Sequence, residues 1–298
     1  MLMRLWIVIL TTFLVFANGC GPTARAATGE GEKPLRFGLI SLNHPLVIYR
    51  QYLPFLDYLS EVTPWTFELV LSQDYGKVVQ GLERGELDVA LLAGLTFLDV
   101  RKRANVTPIC TVLDKDGTPT SRTVFVARDD NPAITSLADL RGRRVAFGSH
   151  RSTASYLAPL DHLARKGIAP RDLSGTDNLP THDAVARAVL RGQFDAGAMG
   201  APMARRYIGS GLRIIEATEP FPGFIIVGRA GLDADVLEGL RKTLLAVDAA
   251  SPAMTKRIQE WNEVLRYGFG PVDGAAYEVI EAMERRMEKA GLPHREGE

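Results

Sequence analysis

Arg151-Ser152-Thr153-Ala154-Ser155-Tyr156 places hydroxyls and an alanine at a handover between two kinds of chain. Before them runs an apolar stretch, Arg144–Phe147, that reads as a strand; after them Tyr156–Ala164 has helical apolar spacing. A helix start leaves about four backbone N–H groups without intrahelical partners and carries roughly half a positive charge. Small side chains at such a start let an anion approach the backbone, and Ser152 and Thr153 add hydroxyl donors. Either residue is equally suited to be a plain N-cap, and the turn by itself is compatible with both roles.

Two more residue types sit in comparable places. His182 follows Thr181, a favourable N-cap, which puts the imidazole in the first turn of its own helix. The positive helix end disfavours imidazolium and a bound oxyanion favours it, yet either protonation state offers an N–H. A surface histidine is the alternative. Tyr75 follows Asp74 at another helix start and offers a phenolic O–H with a flat apolar wall, or simply packs. Arg151 beside the turn is a counter-charge or a solvated neighbour.

These residues are positioned by an alternation of strands and helices. Strands are expected at 35–41, 66–72, 88–93 and 106–113, with helices at 49–62, 74–85 and 95–104. A second unit follows: strands at 123–127, 144–148 and 195–199, helices at 155–166 and 183–190, then strands at 212–217 and 224–227. Helices at 235–247, 253–267 and 275–290 close the chain. Such alternation implies parallel strands joined by crossover helices, with ligands beyond the strands' carboxyl ends. The order suggests two α/β lobes with a cleft between them, the chain crossing near residues 120 and 225; no internal repeat is evident. Asn43, Thr96 and Arg122 lie at strand ends that should face this cleft.

The 298 residues carry 35 basic and 35 acidic side chains, and neither the balance nor any basic run points to nucleic acid. Met1–Arg4 followed by the apolar Leu5–Ala17 is too short for a membrane span, which needs about 20 residues, and fits a secretory signal peptide. Ala17-Asn18-Gly19-Cys20 then resembles a bacterial lipobox with Cys20 as the lipidated mature N-terminus, although Ala17 stands where leucine is usual. Cleavage near Ala24-Arg25-Ala26 is the alternative. The other cysteine, Cys110, falls in an apolar strand and reads as a small core residue. No zinc-ligand spacing is present, and neither metal nor cofactor is expected.

Three further motifs, in order, carry a family resemblance. Asp74-Tyr75-Gly76-Lys77-Val78-Val79-Gln80-Gly81-Leu82 with Gly85-Glu86-Leu87-Asp88-Val89-Ala90 comes first, then the Arg151–Pro159 turn. Thr181-His182-Asp183-Ala184 with Ala188-Val189-Leu190-Arg191-Gly192-Gln193-Phe194-Asp195-Ala196 completes the set. Together they resemble the substrate-binding proteins of phosphonate-, phosphite- and phosphate-type ABC importers. The resemblance implies the two-lobe type II periplasmic-binding-protein fold, each lobe a mixed sheet flanked by helices, with the ligand cleft between lobes. It implies lobes at 34–122 with 225–298 and at 123–224, after a signal peptide at 1–19 and a lipidated linker at 20–33. It also implies a monomer that captures a small oxyanion and hands it to an inner-membrane permease, touching the membrane only through a lipid anchor, in the periplasm or at the cell surface.

By the same resemblance Tyr75, Ser152, Thr153 and His182 contact the phosphonyl oxygens. Ala154 stands where a third hydroxyl is usual, and Ser121 where a tyrosine is. The positions aligned with acids that hold an aminoalkyl ligand's ammonium are Pro202 and Phe224, neither acidic. A sensory module binding the same ligand for a signalling receptor is the alternative. A secreted hydrolase using Ser152, His182 and Asp183 or Asp195 lacks the G-x-S-x-G and S-x-x-K patterns.

Overall fold

The computed structural model describes residues 33–40, 45–72 and 74–291. The signal-peptide and lipobox readings, Cys20 and Asn43 lie outside the described residues. From Leu35 the chain lays down β1 (Leu35–Ile40), α1 (Pro45–Val62), β2 (Phe67–Ser72), α2 (Tyr75–Glu83), β3 (Val89–Leu92), α3 (Gly94–Arg103) and β4 (Thr107–Val112). It crosses through β5 (Thr120–Ser121) into β6 (Thr123–Arg128), β7 (Arg144–Phe147), α4 (Ala158–Arg165), β8 (Gly175–Asn178), α5 (His182–Leu190), β9 (Ala196–Gly200), α6 (Ala201–Ala204) and β10 (Leu212–Ala217). It returns through β11 (Phe221–Pro222) to β12 (Ile225–Gly228), α7 (Ala234–Leu245), α8 (Pro252–Ile258), β13 (Phe269–Gly270) and α9 (Glu278–Lys289).

Two mixed sheets result, a six-stranded one ordered β13-β4-β12-β3-β1-β2 and a five-stranded one ordered β10-β6-β9-β7-β8. Crossover helices make β1, β2 and β3 parallel, as they do β7, β8 and β9. The returning strand β12 inserts antiparallel between β3 and β4, and its Ile225, Ile226 and Val227 are fully buried, as an apolar central strand must be. The two crossing segments pair with each other: β5 and β11 form a short antiparallel ribbon, Ser121 opposite Phe221 and Thr120 opposite Pro222. This ribbon joins the two sheets.

Besides the short β5, β11, β13 and α6, which were not expected, two departures from the sequence expectation stand out. The helix expected at 253–267 stops at Ile258, and a 3₁₀ turn, Glu263–Leu265, follows; the Asn262 carboxamide accepts the Val264 N–H at 3.0 Å and Trp261 is fully buried in the break. The strand β8 was not expected because Gly-Thr-Asp-Asn has no apolar alternation; it is an edge strand held by backbone pairing to β7. A local device recurs in the two sheets. In each, a helix ends, a glycine takes positive φ (Gly85 +67°, Gly192 +70°), and three residues later an aspartate opens a strand. The Asp88 carboxylate accepts the Arg36 N–H at 3.0 Å, and the Asp195 carboxylate accepts the Arg144 N–H at 2.9 Å. Each aspartate's own N–H returns to that arginine's carbonyl at 2.9 Å. Much of the Gly-x-x-Asp resemblance is therefore scaffolding that locks a strand start.

Asp88 goes further than its counterpart, since the guanidinium groups of Arg36 and Arg229 both meet it at 2.9 Å. Burial pushes the carboxyl up, but the hydrogen bonds from Arg36 and Arg229 outweigh it and hold it below its ordinary value. That stability is present above the unfolded carboxylate's pKa and is lost as pH falls through the folded one. Asp88→Ala takes the carboxylate from two partly exposed arginines and the acceptor from the Arg36 backbone N–H, and is expected to cost roughly 2–3 kcal/mol, read from denaturant midpoints at neutral pH. A change below about 0.5 kcal/mol would show the cluster to be dispensable.

The last helix ties the halves together. α9 packs against α3 and α4, its Glu281 meeting Arg101 of α3 at 2.6 Å and its Arg286 clasping the buried Asp161 of α4 at 2.6 and 3.0 Å. Ile280, Met283 and Met287 join one apolar cluster with Leu95 of α3 and Leu160 of α4, so this core is continuous between the sheets.

Candidate functional site

Between the sheets, against the ribbon, lies a cleft of about 640 Å³, part of it open to solvent. The side chains with polar groups that line it are Tyr52, Tyr75, Ser121, Ser152, Thr153 and His182, with Ala154 beside them. Arg122 is turned to the Thr218 carbonyl at 3.0 Å and Arg151 does not line the cleft. Thr96 is buried within α3 and does not line it either. Two residues past Gly94, which does, it is rotated by about 200° around the helix and faces away.

The Ser-Thr turn is a helix start that lines the cleft. Ser152 is the N-cap: its hydroxyl oxygen accepts the Ser155 N–H at 3.1 Å and the Ser155 hydroxyl at 2.8 Å. Its own proton remains for donation, and the phenol of Tyr75 stands within hydrogen-bond reach of it. Thr153 begins a π-helical turn, Thr153–Leu157, that runs into α4. Wide turns of this kind are frequent at functional sites. The turn is fastened to β6 by the Thr123 hydroxyl, which donates to the Ala154 carbonyl at 2.6 Å. It also needs Gly148, because a Cβ there would lie 2.0 Å from the Ser155 oxygen. The Thr153 hydroxyl oxygen reaches across the cleft and accepts the Leu95 N–H of α3 at 2.9 Å.

His182 is the first residue of α5, capped by Thr181 through the Ala184 N–H at 3.0 Å. The imidazole is buried, and its Nδ1 accepts the Gly200 N–H at 3.2 Å. An accepting Nδ1 places the proton on Nε2, leaving one N–H donor. Burial, helped by the charge of Arg206, pushes the pKa down to about 4, so the ring is neutral at physiological pH. The phenol of Tyr75 is likewise kept neutral, pushed up to about 12 by burial, with Ser152 acting weakly the other way.

Four helical segments present their first residue to this space: Tyr75 of α2, Gly94 of α3, Thr153 of the π turn and His182 of α5. Gly94 was not anticipated; the only hint is its place just after the apolar run Val89–Leu92. Ile40, Tyr52, Leu91, Met203 and Phe221 line the cleft as well and were missed: Ile40, Leu91 and Phe221 are apolar strand residues and read as core, and Tyr52 and Met203 lie inside the helices α1 and α6. Among the described residues, none that lines the cleft is Asp, Glu, Lys or Arg.

A donor-lined cleft between two sheets joined by a two-strand ribbon defines a two-lobe solute-binding protein. The profile of one family, described as ABC transporter, phosphonate, periplasmic substrate-binding protein, matches residues 37–277. The chain is 26% identical over 254 residues to the phosphate-import protein PhnD of Mycolicibacterium smegmatis (strain ATCC 700084 / mc(2)155), 79% of each chain. It is 29% identical over 171 residues to the phosphonates-binding periplasmic protein of Escherichia coli (strain K12), covering 56% of this chain and 50% of that one. The fold matches PhnD1 of Prochlorococcus marinus (MIT 9301), solved in complex with methylphosphonate, at TM-score 0.75 and 22% identity, over 86% of this chain and 99% of that one. The chain belongs to the family of periplasmic substrate-binding proteins of phosphonate ABC transporters. That is a family of binding components, and its members work outside the cytoplasmic membrane.

Proposed function

We propose that this protein captures a small phosphorus oxyanion (phosphate, phosphite or a small phosphonate) between lobes 34–122 with 225–298 and 123–224, and delivers it to an inner-membrane ABC permease. One observation carries the reading: the first residues of four helical segments meet in a cleft whose lining, among the described residues, holds no ionised side chain. Helix starts supply unpaired N–H groups and partial positive charge, so an anion is held without a full counter-charge. Tyr75, Ser152 and the Nε2–H of His182 add neutral donors, and among the described residues no carboxylate, which would repel an anion, lines the cleft. The phosphate- and phosphonate-binding relatives support the same ligand class.

We read the site as binding alone. The Asp183 carboxylate is engaged by Arg187 at 2.7 Å and by the Tyr207 hydroxyl, and Nδ1 of His182 faces the Gly200 N–H. A serine nucleophile backed by a histidine–aspartate pair has no counterpart in that arrangement. Calorimetric titration of the mature protein with phosphate, phosphite, methylphosphonate, sulfate and nitrate tests the reading. At least one phosphorus oxyanion is expected to bind at least about 100-fold more tightly than nitrate, a margin of ~3 kcal/mol. The absence of binding by all three overturns it.

The same reading includes anchoring through Cys20. Cys20→Ser is expected to move the protein from the membrane fraction to the soluble one, or to leave it unprocessed. A single acyl chain holds only weakly, so stable anchoring requires the multiple chains of a bacterial lipoprotein. Unchanged fractionation with an unmodified Cys20 by mass spectrometry would remove the anchor from the proposal.

A further inference from the structure

At the edge of the cleft the short helix α6 links two separate apolar cores. Its Ala204 is buried in the cluster of the five-stranded sheet with Val124, Val126 and Met199. Val264 and Leu265, on the 3₁₀ turn after α8, are buried in a cluster of the six-stranded sheet with Phe37 and Leu39. Two side chains of the α6 segment reach across. Met203 packs against the second cluster, and Arg205 donates from Nη1 to the Glu263 carboxylate at 2.7 Å and to the Tyr267 hydroxyl at 3.2 Å. The accepting side is built in advance: the Asn262 carboxamide donates to the Gln51 side-chain oxygen of α1 at 2.7 Å and accepts the Val264 N–H. Glu263 is therefore presented on a fixed turn, and little freedom is lost when the arginine meets it.

We infer that Arg205 is a positioning residue for binding: through Glu263 and Tyr267 it latches α6 over the occupied cleft and touches no ligand itself. The inference rests on the reading of the cleft as an oxyanion site. Arg205 does not line the cleft, whereas Pro202 and Met203 just before it do. At the other end of α6, the N-cap Gly200 gives its N–H to the His182 imidazole. Four helical residues thus separate the imidazole's partner from the latch. When the lobes part, Arg205 and Glu263 are solvated separately, so their pairing favours the closed state alone. Its loss belongs in the rate of release, not in the rate of capture.

Glu263 supplies the sign that separates a latch from a simple field. It lines both cavities that adjoin the cleft, and a carboxylate beside an anion site repels the anion. If Arg205 and Glu263 acted on the ligand through their charges alone, Arg205→Gln would weaken binding and Glu263→Gln would tighten it. A latch is lost in either variant, so both weaken binding.

Stopped-flow and calorimetric titration with phosphate, phosphite and methylphosphonate test this. Glu263→Gln and Arg205→Gln are each expected to release the tightest-binding of the three about three- to tenfold faster, with association changed less than about twofold. The double variant is expected to be no worse than either single one, because both remove the same link. Tyr267→Phe, which keeps the ring and removes one acceptor, is expected to fall between them and the unaltered protein. Tighter binding by Glu263→Gln, or unchanged release in both single variants, overturns the latch and leaves the oxyanion reading standing. Should Glu263→Gln not fold, the rates of Arg205→Gln decide: faster release supports the latch, and slower capture with unchanged release overturns it. If none of the three anions binds the unaltered protein, the oxyanion reading falls and the latch falls with it.

Discussion

Replacing His182 with glutamine is expected to remove much of the acid sensitivity of the ligand-free protein. The imidazole is buried as a neutral ring with a pKa of about 4, against an ordinary value near 6.5. Between those values the unfolded chain binds a proton that the folded chain refuses, so stability falls as pH falls. The contribution is whole above about pH 6.5 and fully lost below about pH 4, a total of roughly 3 kcal/mol. At pH 4.5 most of that, about 2–3 kcal/mol, should already be gone from the unaltered protein and retained in His182→Gln relative to its own pH 7 value. Denaturant unfolding at the two pH values measures the difference directly. Saturating phosphate should blunt the loss in the unaltered protein, because an oxyanion against Nε2 favours the imidazolium. Identical pH profiles for the two proteins would mean that the ring is hydrated or already charged in the folded state.

The sequence makes His182 legible as the first residue of a capped helix, and the structure adds the partner that fixes its tautomer. That partner, the Gly200 N–H, belongs to β9, and no local pattern links residues 182 and 200. The same limit applies elsewhere. Ser152, Thr153 and Tyr75 stand out because caps and helix starts are written in adjacent residues. The bond from the Leu95 N–H to Thr153 crosses between sheets and has no sequence signal. Alternation of apolar runs was enough for two α/β lobes, but the mixed sheets came with the family resemblance, and neither β8, an edge strand defined by pairing, nor the break after Ile258 was legible. Thr96 went astray for a rotational reason: a strand end was located correctly, but a two-residue offset on the following helix decides whether a side chain faces the cleft or the interior.

Ser152 and Thr153 should separate when each is changed, although they are adjacent. Ser152→Ala removes the oxygen that takes both the N–H and the hydroxyl of the buried Ser155, so part of its cost falls on folding, about 1–2 kcal/mol. Thr153→Val keeps the shape of the side chain and removes only its hydroxyl. The lost partner, the Leu95 N–H, lies across the cleft, and in a protein whose lobes part water replaces the threonine. The penalty of an unpaired buried donor, roughly 1–3 kcal/mol, is then confined to the closed state. Affinity for the tightest-binding phosphorus oxyanion is expected to fall about ten- to a hundredfold in Thr153→Val, with ligand-free stability changed by less than about 1 kcal/mol. Small-angle scattering should show the ligand-free variant with a radius at least as large as that of the unaltered protein. Thr153→Ser, which restores the accepting oxygen, is expected to recover most of the affinity. If Thr153→Val instead loses stability while its affinity holds, the bond to Leu95 is a permanent part of the core, and the two lobes are fastened there whether or not the cleft is filled.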